Sequence, residues 1–120
     1  MLAEFAPDRQ APESVRSTGE EPWQRTVPAS GLADAVRAAV EDELARLGRG
    51  TLAVITAGPD DLRGLAGFAV DRHTPVSAKG LEFDVVVIVD PERIRAHNPA
   101  DLYVSITRAT QRLGLVHVER

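Results

Sequence analysis

Residues 84–90 read Asp84-Val85-Val86-Val87-Ile88-Val89-Asp90, an unbroken β-branched run between two acids. Such a run leaves no face for water, so it predicts a strand covered on both sides, as at the centre of a parallel sheet. Working outward, Thr51-Leu52-Ala53-Val54-Ile55-Thr56 is a second short apolar run bounded by turn residues and predicts another buried strand. Leu113 to Val118 supplies a third. Trp23 to Val27 alternates bulky and polar residues ahead of Pro28, the pattern of a short edge strand.

Between these runs the period changes. With Ser30 as an N-cap, Leu32, Ala35, Val36, Ala39, Val40, Leu44 and Leu47 recur at helical spacing, and Glu43 alone interrupts the apolar face. Gly48 and Gly50 stop the helix. Gly58-Pro59-Asp60-Asp61 predicts a short helix start, and Asn98-Pro99-Ala100-Asp101 predicts a helix running to about Gln111. Phe68 to Val76 is mixed, with room for one or two short extended pieces. Helices alternating with doubly apolar strands imply an α/β, three-layer, mostly parallel sheet with helices on both faces. In such sheets ligands gather at the strand carboxyl ends.

The chain has 120 residues, one domain's worth, and its 43% hydrophobic and 27% charged content is that of a folded protein. Residues 1–22 carry Pro7, Pro12, Pro22 and Gly19 and predict an irregular lead-in, leaving 23–120 as the folded lobe. The net charge of −4 argues against a protein that coats nucleic acid through overall charge, while permitting a local basic patch. With no cysteine there is no disulfide, thiolate metal site or cysteine nucleophile. The first ten residues lack the apolar core of a secretory signal, and no run has the length of a membrane span, so a cytoplasmic address is expected.

Thirteen of the fourteen basic residues are arginine. The single lysine, Lys79, stands between Ala78 and Gly80, so the chain contains no G-x-x-x-x-G-K-[ST] phosphate loop and is not expected to hydrolyse nucleotides alone.

Two segments concentrate polar chemistry. In Ser77-Ala78-Lys79-Gly80-Leu81-Glu82-Phe83-Asp84, a lysine, a glycine permitting close backbone approach and a carboxylate able to accept from a ribose hydroxyl could grip a nucleotide or a strand backbone. A solvated charged turn would read the same way. In Asp101 to Arg112, read as the last helix, Arg108 offers forked, permanently charged donors suited to phosphate oxygens, and Ser105, Arg108 and Arg112, three and four apart, share one face. A surface arginine paired with a carboxylate is the plain alternative.

These segments resemble two motifs of the UvrD/Rep class of superfamily 1 helicases. Ala78 to Asp84 is similar to motif V and Tyr103-Val104-Ser105-Ile106-Thr107-Arg108-Ala109 to motif VI, in the right order with a strand between. Asp90-Pro91 and Val15-Arg16-Ser17-Thr18-Gly19-Glu20 resemble the HelD-like branch. The resemblance implies a C-terminal RecA-like lobe, called 2A, of a longer DNA motor. It would lack the phosphate loop and meet ATP and Mg²⁺ only across a cleft from an N-terminal RecA-like lobe. On that basis Gly80 and Glu82 would face the nucleotide, Glu82 toward the ribose, and Arg108 would be the arginine finger reaching the γ-phosphate. Thr74, Ser77 and Lys79 would lie toward nucleic acid, although Thr74-Pro75-Val76-Ser77 departs from the family's Thr-x-His. No cofactor is expected to stay bound to this chain alone. The HelD-like likeness also implies a second role, a non-catalytic module docking to a partner such as RNA polymerase.

Other chemistries fit less well. Asp71, His73 and Ser77 lack a nucleophile elbow. His73, His97 and His117 lack metal-ligand spacing. Val85 to Asp90 mimics a Walker B strand, but without a phosphate loop Asp90 has no phosphate-bound ion to hold. Trp23 is expected to pack, and His117 to lie on a strand face.

Overall fold

The computed structural model describes residues 21–58 and 70–119. Its elements are β1 (Trp23–Val27), α1 (Leu32–Leu47), β2 (Leu52–Thr56), β3 (Asp71–His73), β4 (Phe83–Val89), α2 (Pro91–His97), α3 (Pro99–Ile106) and β5 (Ala109–Val118). The five strands form one sheet in the order β1-β5-β4-β2-β3, and every pairing is parallel. The expected helix beyond Gly58, from Pro59 on, the stretch Phe68–Ala69, the resemblance at Val15–Glu20 and most of the lead-in lie outside the described residues.

The β-branched run forms β4, paired on both sides, by β5 and β2. Along it Val85, Val87 and Val89 point to one face, where α1 covers them with Val36 and Val40. Val86 and Ile88 point to the other, against Ile94 of α2 and Leu102 and Ile106 of α3. Strand alternation thus puts one apolar set into each of two cores, which is why the sequence shows no polar alternation here. Among the described residues no helix is long and apolar enough to cross a membrane.

Two helix boundaries differ from the sequence reading. Ser30 does not cap α1: Pro28 to Gly31 closes a short 3₁₀ turn, with Gly31 N–H donating to the Pro28 carbonyl at 2.9 Å, and the helix begins at Leu32. At the far end Gly48 takes a φ of 66° and stops the helix as expected. More consequentially, the last helix ends at Ile106 and not near Gln111, because Ala109 to Arg112 are drawn into the ladder with β4. Helix propensity is a fraction of a kcal/mol per residue, less than a buried strand register supplies. Arg108 therefore lies in a turn and Arg112 on β5, and the shared helical face of Ser105, Arg108 and Arg112 does not form.

Glu43, the interruption in the α1 stripe, is buried. Its carboxylate accepts from Trp23 Nε1 at 2.7 Å and from Arg112 Nε at 2.7 Å, tying α1 to β1 and β5. Trp23 packs as expected, its indole lying where a Cβ on Gly114 of the adjacent strand would be. Gly114→Ala must displace the indole and with it the Glu43 bond. The expected cost is about 1–3 kcal/mol, read as a fall in melting temperature of several degrees. An unchanged melting temperature would mean that the indole has another place to lie.

Candidate functional site

The segment from Thr74 to Glu82 leaves the carboxyl end of β3 and crosses the sheet on the α2/α3 face to reach the amino end of β4. Its first turn is closed by a reciprocal pair: Thr74 Oγ1 accepts from Ser77 N–H at 3.2 Å, and Ser77 Oγ accepts from Thr74 N–H at 2.9 Å. Ala78, fully buried in the core under α2 and α3, pins the middle. Gly80 then turns the chain with a φ of 80°, a conformation that a side chain resists. Lys79, Leu81 and Glu82 are exposed, and neither Lys79 nor Glu82 bonds a described side chain. Phe83 returns to the core, its ring 5.4 Å from that of His73.

Helix α3 delivers Arg108. Asn98 caps it, its side-chain oxygen accepting from Ala100 N–H at 2.9 Å, and Pro99 occupies the first turn. Because the helix stops at Ile106, Arg108 N–H goes to the Ser105 carbonyl at 3.2 Å, leaving the Val104 carbonyl without its usual backbone donor. Two side chains fill the vacancy: Thr107 Oγ1 donates to it at 2.8 Å and Arg108 Nε at 3.1 Å. Arg108 Nη2 also donates to Thr107 Oγ1 at 3.2 Å. The guanidinium is thus half-buried and held along one edge, and no described residue bonds its Nη1.

The sheet brings the two segments together. Phe83 pairs with Ala109, and Phe83 N–H donates to the carbonyl of Arg108 at 2.9 Å, so Glu82 and Arg108 flank adjacent strands at one edge. The ladder shifts register between Phe83 and Val85. Asp84 secures the irregularity, its carboxylate accepting from Thr51 N–H at 2.8 Å and from Gln111 Nε2 at 3.1 Å, which joins the starts of β2, β4 and β5. This corrects the expected location: Gly80, Glu82 and Arg108 stand at the amino edge of the sheet and not the carboxyl edge, because they precede their strands.

Thr74 stands at the opposite edge. It lines a cleft of about 460 Å³ with Ala57, Pro75, Val76, Arg93, Ile94, His97 and Asp101. Ser77 lies one turn on, with Oγ 2.9 Å from His73 Nδ1 and 3.2 Å from the Thr74 carbonyl, and Lys79 follows it, its N–H donating to the Val76 carbonyl at 3.2 Å. The Ser77 hydroxyl is engaged within its own turn. Asp90 is buried with a φ of 53° and leads into α2, its N–H donating to the Val116 carbonyl at 2.7 Å. His117 lies on a strand face as expected, between Glu92 at 2.9 Å and Gln24 at 2.8 Å. Among the described residues no three His, Asp or Glu side chains gather as metal ligands. Sequence reasoning missed Thr107 and Asp84 as supports. The threonine beside the arginine was the available signal for the first, and nothing in the spacing marks the second.

The fold is that of a helicase C-terminal domain. Residues 74–116 match the family of UvrD-like helicase C-terminal domains, a stretch that includes both segments just described. The chain is similar to the crystal structure of the C-terminal domain of a possible DNA helicase from Lactobacillus plantarum WCFS1, at 25% identity and a TM-score of 0.68, covering 88% of this chain and 80% of that one. None of the curated proteins matches the chain.

Proposed function

We propose that this chain is the second RecA-like lobe of an ATP-driven DNA motor of the UvrD-like class, contributing motif V and motif VI to a nucleotide site shared with a first lobe. The observation that carries the reading is the pairing of Phe83 with Ala109, which sets Glu82 and Arg108 at one edge with solvent in front of them. ATP, with Mg²⁺ held by the first lobe, would bind between the lobes. Glu82 would accept from the ribose, Gly80 would let the backbone come close, and Arg108 would neutralise charge on the γ-phosphate. Thr74, Ser77 and Lys79 would meet the DNA backbone. Thr74 is at the far end of the strands, roughly 20 Å away at about 3.3 Å per residue along β4. Closure of the cleft at one edge would thereby move a grip at the other.

The experiment is reconstitution. Hydrolysis of ATP is expected from the two lobes together and from neither alone, since this chain lacks a phosphate cradle. Equal hydrolysis by the first lobe with and without this chain would refute the composite site. It would favour the second reading, motivated by the HelD-like resemblance, of a non-catalytic module docking to RNA polymerase.

A further inference from the structure

We infer that Thr107 is a positioning residue that holds the Arg108 guanidinium ready for phosphate, an inference that rests on the reading of Arg108 as the finger. A hydroxyl has one proton and two lone pairs. Thr107 Oγ1 gives its proton to the Val104 carbonyl at 2.8 Å, so the oxygen that faces Arg108 Nη2 at 3.2 Å does so as an acceptor. The same carbonyl takes Arg108 Nε at 3.1 Å. These contacts engage the guanidinium along its Nε–Nη2 edge and leave Nη1, which no described residue bonds, to an incoming anion. A long side chain with four rotatable bonds is thereby confined before ATP arrives, which is the preorganisation that a charge-stabilising group requires. The early end of α3 is what makes the device possible, since a helix continued through Arg108 would fill the Val104 carbonyl with backbone N–H.

The test compares Thr107→Val, which keeps the shape and removes the hydroxyl, with Thr107→Ser, which keeps the hydroxyl. In the two-lobe motor Thr107→Val is expected to lower kcat by about tenfold or more while KM for ATP moves less than about twofold, and Thr107→Ser to restore most of kcat. In the 120-residue chain, nitrogen-15 NMR should show the Arg108 Nε–H exchanging faster with water in Thr107→Val than in the unsubstituted protein, at a similar melting temperature. Undiminished kcat in Thr107→Val, or a Ser variant as slow as the Val variant, overturns the inference while the finger reading stands if Arg108→Ala is inactive. Turnover that survives Arg108→Ala overturns both.

Discussion

Arg108→Ala is expected to lower ATP turnover by the assembled motor by about 10³-fold or more while leaving ATP affinity nearly unchanged. Negative charge spreads over the γ-phosphoryl oxygens as the bond to the leaving group stretches, so a cation aimed there stabilises the transition state far more than the bound substrate. Position 108 is suited to this because the side chain carries a forked guanidinium cation, is held to α3 by the Val104 carbonyl and Thr107, and keeps one nitrogen that no described residue bonds. Arg108→Lys should rescue little: an ammonium has no fork with which to bond Val104 and Thr107 on one side and phosphate on the other. Folding is not the confounding variable, since the two lost hydrogen bonds are worth about 0.5–1.5 kcal/mol each. Single-turnover hydrolysis and equilibrium ATP binding, measured on the same preparation, separate the two effects. Near-normal turnover in Arg108→Ala would end the assignment.

The parallel three-layer plan was legible because doubly buried strands are continuous apolar runs, and β2 and β4 carry them almost residue for residue. What was not legible has a common physical cause. The end of α3, the strand start at Ala109 and the irregular register opposite Asp84 are all decided by pairing between segments more than twenty residues apart, which helical spacing within one segment does not encode. The same pairing decides how Arg108 is presented. Arg108 on a long helix would be an isolated surface cation, whereas Arg108 in the turn before β5 is placed by Phe83 beside Glu82. That both segments precede their strands was already legible in the order of the sequence, and it is what puts them at the amino edge.

Glu43 is the position where the sequence pattern and the structure diverge most, and its loss is the largest stability effect expected. A carboxylate on an apolar helix face reads as a blemish, yet its side chain is 3% exposed and bonds two donors from two different strands. Glu43→Leu would leave the Arg112 guanidinium buried without its counter-charge, on a side chain whose Nη2 already has no partner among the described residues, and would orphan the Trp23 indole N–H. Removing one member of a buried pair in this way costs about 3–5 kcal/mol; the neighbouring Arg46, 4.0 Å from the Glu43 carboxylate, is itself a cation and cannot supply the missing counter-charge. A drop of roughly 10–25 °C in melting temperature follows for a domain of this size. The double variant Glu43→Leu with Arg112→Leu should be more stable than Glu43→Leu alone, because replacing both charges by apolar groups removes the uncompensated cation. If the double variant melts lower than the single one, the penalty is packing and not charge. In that event Glu43 holds β1 and β5 against α1 chiefly through Trp23.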